Sequence, residues 1–322
     1  MTKMRAIVID GFGGPEVLVE KDMPMVTPGI GEAVIQVHAA GINPIDAKTR
    51  AGKGVSALIR EFPAILGVDF CGTIVQPAFD THRFQPGDEV FGMVSVPRLS
   101  GSYAQFLTVP VTAIARKPRT LSHISAAAVP CAALTAWGCI VSVGAVKPGD
   151  RVLIHAAAGG VGHFAVQLAK RAGAYVVATA SARNAEWLME LGVDEVIDYR
   201  ATRFEDETGA IDLVVDLIGN VHDDTGTRSL SVMRPGGLLI SVPTGSWPAF
   251  REDAAAAGVR ATDIKALSDT STLTSIAELI DTGDLRVHVD REFPLVEAAE
   301  AHRVLELGHT RGKIVLTVPS SP

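Results

Sequence analysis

An α/β fold in two parts, one β-rich and one a doubly wound parallel domain, is what the sequence predicts, and three observations carry it. Short strand-like runs separated by turn residues fill the N-terminal part of the chain. After Lys147-Pro148-Gly149-Asp150 strands and helices alternate, and past about residue 285 the β character returns. Strand-helix alternation marks a parallel sheet covered on both faces, whereas many short strands with Gly and Pro between them describe an irregular barrel or sandwich.

From the N-terminus the runs MRAIVI, EAVIQVHAAGI, GTIV, DEVFGMV and AQFLTVP are rich in β-formers, and clusters such as PGIGE and QPGDE punctuate them. Gly and Pro there supply turn geometry that strand interiors do not hold. The middle of the chain reads RVLIHAA as a strand, VGHFAVQLAKRAG as a helix, AYVVATA as a strand, NAEWLMELG as a helix, and EVIDY, DLVVDLIG and LLISVP as further strands. These strands are nearly unbroken Val, Ile, Leu and Ala, as burial on both faces requires. At the end RVHVDREFPL is a strand, LVEAAEAHRVLELG an amphipathic helix and GKIVLTV a closing strand, so the tail can rejoin the first part.

The 322 residues suit two domains rather than one. With 47% hydrophobic and 20% charged residues, the chain can bury sizeable cores and is not disordered. A net charge of -7 argues against a general nucleic-acid binder, because phosphate affinity is built from clustered Lys and Arg. Cys71, Cys131 and Cys139 are scattered and odd in number, which fits a cytoplasmic protein without structural zinc. The apolar run of MTKMRAIVIDGFGG is too short for a signal-peptide core. Residues 124–146 carry no charge and are long enough to span a bilayer, yet they are mostly small and interrupted by Pro130. A buried helix and its approach loop are expected there instead.

The strongest local signal is RVLIHAAAGGVGHFAVQLAKRAGAYVVATASARN, a strand, a glycine-rich turn, a helix and a second strand. Aligned to the dinucleotide fingerprint GxGxxG, the three positions are Ala157, Gly159 and Gly162. Ala157 permits the tight turn if its φ is negative. Gly159 and Gly160 let the main chain approach a pyrophosphate, whose charge meets the amides and dipole of the helix that begins near Val161. Gly162 allows close helix-to-strand packing. An NAD site places an acid at the end of the second strand, on the ribose 2′-hydroxyl. Here that strand runs into Ser181, Ala182, Arg183 and Asn184, so a hydroxyl and a guanidinium stand ready for a 2′-phosphate and the cofactor is read as NADPH.

With these motifs in view, the whole chain resembles the medium-chain dehydrogenase/reductase superfamily, specifically its zinc-free quinone oxidoreductase and enone reductase branch. The landmarks include MRAIVIDGFGGPEVL, VHAAGINPIDAKTR, FPAILGVDFCG, PGDEVFG, GSYAQF, AAAVPCAALTAWG, KPGDRVLIHAAAGGVGHFAVQLAK, DEVIDYR and RGKIVL. The resemblance implies a GroES-like β-rich catalytic domain, residues 1–124 plus 285–322, with a Rossmann NADP(H)-binding domain, residues 125–284, inserted between. It places Asn43 and Thr135 at the nicotinamide end, Ser181, Arg183 and Tyr199 at the 2′-phosphate, and the segments around Leu217 and Val242 along the ribose channel. Lys313 and Arg311 are weaker candidates for reaching back to the cofactor.

Zinc alcohol dehydrogenases of the superfamily hold catalytic metal with Cys, the His of a GHE motif, and a second Cys. In this sequence the first position is Asn43, the GHE-like motif is Gly67-Val68-Asp69, and Cys131 alone keeps a ligand type. Tetrahedral zinc needs at least three protein ligands, so no metal is predicted and Cys131 is expected to be a small buried apolar residue. Without that Lewis acid, hydride delivery to a quinone or an α,β-unsaturated carbonyl is the chemistry to expect, with hydrogen-bond donors stabilising the developing oxyanion. The NPxDxK pattern of enone reductases makes Lys48 the candidate donor, Asp46 its positioning partner and Asn43 the residue that orients cofactor or substrate, although Asp46 and Lys48 could also be only a local ion pair. Tyr103 is expected to be a packed aromatic, and His155 and His163 are read as structural. A small-molecule substrate, a homodimer, and no nucleic-acid or membrane partner complete the expectation. The competing reading is an NADPH-binding sensor or regulatory protein with little turnover.

Overall fold

A computed structural model describes residues 3–80, 83–94 and 101–319. The chain divides into two compact units, an outer one of Met1–Leu134, Leu267–Gly283 and Val287–Pro322, and an inserted one of Thr135–Ala266 and Asp284–Arg286. The inserted unit thus starts at Thr135 rather than at 125, and the segment Leu267–Gly283 groups with the outer unit.

In chain order the outer unit opens with strands β1 (Lys3–Ile9), β2 (Val19–Pro24) and β3 (Glu32–Ile42) and helix α1 (Pro44–Arg50). Strands β4 (Ala64–Ile65), β5 (Asp69–Gln76), β6 (Glu89–Met93), β7 (Phe106–Pro110) and β8 (Ile114–Arg116) follow, then helices α2 (His123–Ala127) and α3 (Pro130–Trp137). The inserted unit alternates β9 (Arg151–Ile154), α4 (Gly162–Arg171), β10 (Tyr175–Ala180), α5 (Ala185–Glu190), β11 (Glu195–Asp198), α6 (Phe204–Glu207) and β12 (Ile211–Asp216). It continues with α7 (Thr225–Ser229), β13 (Met233–Ser241), α8 (Phe250–Ala256) and β14 (Arg260–Asp263). The chain then returns to the outer unit with α9 (Thr270–Asp281), β15 (Val289–Pro294), α10 (Ala298–Glu306) and β16 (Lys313–Thr317).

The uncharged stretch 124–146 is broken into α2, α3 and a π-helix at Gly138–Ser142, because Pro130 lacks the amide a continuous helix needs and instead starts α3. Among the described residues no helix is long and apolar enough to cross a membrane.

In the outer unit one sheet runs β15-β16-β3-β5-β6-β8, with β7 also pairing β3, and a smaller sheet runs β2-β1-β4. The closing strand β16 lies antiparallel to β3 with Ile314 opposite Ile42, so the tail does rejoin the first part. Ile7, Ile35, Phe70, Leu107 and Leu316 are fully buried in its core, each such side chain contributing roughly 1.5–3 kcal/mol by leaving water.

In the inserted unit all strand pairs are parallel and the order is β11-β10-β9-β12-β13-β14. Counted from its own first strand this is the 3-2-1-4-5-6 order of a doubly wound dinucleotide fold. Leu153, Val177, Ile197, Val214 and Leu239 line its core.

Candidate active site

Ligands of doubly wound sheets bind beyond the carboxyl ends of the strands where the order reverses, here at β9 and β12. The glycine-rich turn leaves β9 at that point. Ala157 is not left-handed, as the alanine substitution requires; Ala156, one residue earlier, takes that conformation at φ 47°. A Cβ on Gly162 would fall 2.5 Å from Ala156 O and 2.6 Å from Ala157 Cα, so α4 can start this close to the turn only without a side chain. Of the first-turn amides of α4, that of His163 donates to Gly159 O at 3.1 Å; the others, which a helix leaves without partners of its own, suit an anion.

His155 braces the strands beneath the turn. Ser229 Oγ donates to Thr225 O at 2.7 Å, so it accepts from His155 Nε2–H at 2.8 Å, and Nδ1 accepts from Thr179 Oγ1 at 3.0 Å. Burial pushes its pKa down to about 3, which keeps the ring neutral and structural.

The three residues expected at the 2′-phosphate meet at one edge. Ser181 follows β10 and is 8% exposed, Arg183 lies exposed on the short turn after it, and Tyr199, 54% exposed, donates its amide to Ala180 O at 3.3 Å. Arg200 holds its guanidinium 5.6 Å from the Tyr199 ring centroid, a second cation at this edge that the sequence reading missed although it ends the motif DEVIDYR. The residues that follow β10, Ser181 to Asn184, include no carboxylate, and the acid nearest in register is Asp198, opposite Ala180 on β11. Leu217 and Val242, both half-buried, leave the adjacent strands β12 and β13, and the Val242 amide donates to Asp216 O at 3.0 Å. Asp216 fixes that loop through its Oδ1, which accepts from the amides of Ile218 and Gly219 at 2.9 and 2.7 Å. Thr135, 6% exposed, lies on α3.

The outer unit builds its site from charge. Asn43 precedes α1, and the hydrogen bonds of its side chain go to distant strands: Oδ1 accepts from Lys313 Nζ, and Nδ2 donates to Asp69 Oδ2 at 2.9 Å. Asp46 takes over the capping role, its Oδ2 accepting from the Asn43 amide at 2.8 Å. Asp69, first in β5, puts Oδ1 on the Cys131 amide at 2.7 Å and so caps α3 from a distant strand. Lys313, first in β16, also donates to Ile42 O at 2.9 Å and to Asp69 Oδ2 at 3.3 Å. Gly41 makes room for this arrangement, since a Cβ there would meet Ala127 O at 2.3 Å and Asp69 Cβ at 3.0 Å.

A second chain of bonds runs from this cluster. Arg50 Nη1 donates to His302 Nδ1 at 3.4 Å, so His302 Nε2–H donates to Tyr103 Oη at 3.1 Å and Tyr103 donates to Asp46 Oδ2 at 3.2 Å. Arg50 Nη2 meets Glu306 Oε1 at 2.6 Å. Burial pushes His302 down to about 3, with the Arg50 charge adding to the effect. Burial, reinforced by the Asp69 charge, lifts Asp46 to about 7 against the opposing pull of the Asn43 amide, Lys313 and Tyr103. Burial also raises Asp69, with Lys313 and Asn43 opposing.

Three expectations need correction. Asp46 neither positions Lys48 nor pairs with it: side chains two apart on a helix point to different sides, and Asp46 faces Asn43 and Tyr103 while half-buried Lys48 forms no hydrogen bond or ion pair among the described residues. Lys313 does not reach for a cofactor, because its three N–H groups are already spent inside the cluster. Cys131 is only partly buried, and its backbone amide donates to Asp69 Oδ1. Tyr103 is fully buried as expected, but its hydroxyl is engaged. His302 went unnoticed, although its spacing from Ala298 and Leu305 places it on the apolar face of α10.

The residues at the metal-ligand positions do not fit zinc. They present an amide committed to Lys313 and Asp69, the apolar Val68 and the single thiol of Cys131, where zinc needs three protein ligands, and the carboxylate beside Val68, Asp69, is already paired with the Lys313 ammonium. Among the described residues no group of three or more His, Cys, Asp or Glu is placed to hold a metal ion.

Known proteins share this architecture. Residues 29–119 match the alcohol dehydrogenase GroES-like domain family, and residues 191–316 match the family described as zinc-binding dehydrogenase. The chain is 36% identical to the mitochondrial NAD(P)H oxidoreductase RTN4IP1 of Mus musculus, over 98% of this chain and 90% of that protein. It is 32% identical to a chloroplastic NADPH-dependent alkenal/one oxidoreductase of Arabidopsis thaliana, over 98% of this chain and 79% of that one. The structure of the quinone oxidoreductase from Coxiella burnetii superposes with a TM-score of 0.94 at 38% identity, covering 99% of this chain and 100% of that chain. The chain therefore belongs to the medium-chain dehydrogenase/reductase superfamily, in its quinone oxidoreductase and enone reductase branch.

Proposed function

We propose that this member of the superfamily is an NADPH-dependent reductase of quinones or α,β-unsaturated carbonyl compounds that works without zinc. The observation that carries the reading is the Lys313 ammonium held by Asn43 and Asp69: a protein cation occupies the amide that stands at the first ligand position, so the reaction is one that hydrogen-bond donors alone can support. Names of relatives point to the same substrates, a quinone oxidoreductase and an alkenal/one oxidoreductase among them.

In the inserted unit Gly159, Gly160 and Val161 suit a pyrophosphate, Ser181, Arg183 and Tyr199 a 2′-phosphate, Leu217 and Val242 the ribose channel, and Thr135 the nicotinamide end. When bound, NADPH supplies hydride. In the outer unit Asn43 and Lys48 offer donors to the carbonyl oxygen on which charge develops. Burial lowers the Lys48 pKa, with Lys53 adding to the effect, which suits proton donation better than an ordinary lysine. In the same reading the protein acts in the cytoplasm as a homodimer on small molecules, without nucleic-acid or membrane partners.

The test is steady-state NADPH oxidation with a panel of small quinones and enones, together with elemental analysis. Turnover without stoichiometric zinc is expected. Tight NADPH binding with no turnover across the panel would leave a sensor or regulatory protein instead. Replacing Lys48 with Ala should lower kcat on the order of 10²-fold while NADPH affinity holds; an unchanged kcat would remove Lys48 from the chemistry.

A further inference from the structure

Lys313 and Asp69 are 4% and 0% exposed, and the Asn43 carboxamide bonds to both. An amide between an ammonium and a carboxylate cannot flip. Its oxygen must face the cation and its NH2 the anion, because the reverse would set donor against donor and acceptor against acceptor. The backbone of Asn43 is held as well, by Asp46 on its N–H and by Pro44 after it. Of the two Nδ2 hydrogens one goes to Asp69 at 2.9 Å, and the other has no acceptor among the described residues.

We infer that Lys313 is a positioning residue for the acceptor: with Asp69 it locks the Asn43 carboxamide so that one N–H is held out, uncommitted, for the acceptor oxygen that gains charge during reduction. The inference rests on the reductase reading above, in which Asn43 is a donor, and goes beyond it by assigning the groups that aim that donor. Lys313 touches no substrate. Its effect is to remove the reorganisation that a mobile amide would undergo as charge develops, which is where a fixed donor gains its advantage.

The experiment compares wild type, Asn43→Ala, the neutral pair Lys313→Met with Asp69→Asn, and the triple variant. The pair is made together because Lys313→Met alone would leave Asp69 buried and uncompensated. Each protein is measured for kcat and KM with a quinone, for NADPH binding by fluorescence, and for side-chain amide signals in a 15N–1H spectrum, where Asn43 is identified by its loss in Asn43→Ala. In the neutral pair the Asn43 signals should move toward those of exposed amides, kcat should fall on the order of 10²-fold, and NADPH affinity should hold. The triple variant should be no slower than Asn43→Ala, since the lysine acts through the asparagine. Unmoved Asn43 signals, multiplying kcat losses, or a weakened NADPH affinity with kcat intact would each overturn the inference. Absence of turnover in wild type would overturn the reductase reading and the acceptor with it, while the spectrum would still decide whether Lys313 holds the amide.

Discussion

The two units prepare their sites by opposite means. In the inserted unit the glycine-rich turn is shaped by main chain, with Ala156 left-handed, Gly162 bare, and His155 kept neutral at a pKa of about 3. In the outer unit the site is a knot of buried charge, with Asp69 and Lys313 paired and Asp46 lifted to about 7. Shape of a short segment depends on neighbours in sequence, whereas a charge cluster depends on which strands the fold brings together. The first is robust to distant substitutions and the second is not.

The largest expected effect follows from that difference. Replacing Asp69 with Ala leaves the Lys313 ammonium and the Cys131 amide without their acceptor, and should cost about 3–5 kcal/mol in denaturant unfolding. A loss below about 1 kcal/mol would make the pair no more important than a surface ion pair.

Next comes the pH dependence of the outer unit. Asp46 has a folded pKa of about 7 against an ordinary value of 3.8. Between those values the native state keeps a proton that the unfolded chain has released, so the stabilising linkage is full below the lower value and is lost as pH rises through the upper one. Burial of Asp69 acts in the same direction. Relative to wild type, Asp46→Asn should therefore gain up to about 4 kcal/mol between pH 4 and pH 8. Unfolding curves at several pH values that run parallel for the two proteins would show that Asp46 titrates as an ordinary carboxyl.

In the inserted unit, Gly162→Ala drives a methyl into the turn backbone. The expected cost is about 1–3 kcal/mol, with weakened NADPH binding and the Asn43 amide signals unchanged. Should those signals move too, the two sites are not built independently. The smallest effect is the most specific: Arg183→Ala should weaken NADPH about tenfold, near 1.4 kcal/mol, and leave NADH almost untouched. Equal losses for both cofactors would contradict the 2′-phosphate assignment.

Legibility in the sequence follows the same division. Strand β3 coincides with the run EAVIQVHAAGI, and α4 begins at the third fingerprint position, because hydrophobic period and glycine placement are local properties. The wrong pairing of Asp46 with Lys48 came from reading adjacency as contact. His302 could have been found from its place on the apolar face of α10, but nothing local tells that its partners are Tyr103 and Arg50. The left-handed turn of Ala156 gives no signal at all, since alanine does not ordinarily take it.

The sequence alone determined the doubly wound unit through its run of alternating strands and helices, and the turn over which a dinucleotide can lie and the lack of a carboxylate after β10 are both written within some thirty residues of chain. Tertiary structure alone decided what stands in the donor set of the outer unit. Asn43, Asp69, Cys131 and Lys313 meet only because β16 returns to pair with β3 and β5 lies on that strand's other side. A buried charge is stable only beside its counter-charge, and which residue supplies it is set by strand pairing across the chain.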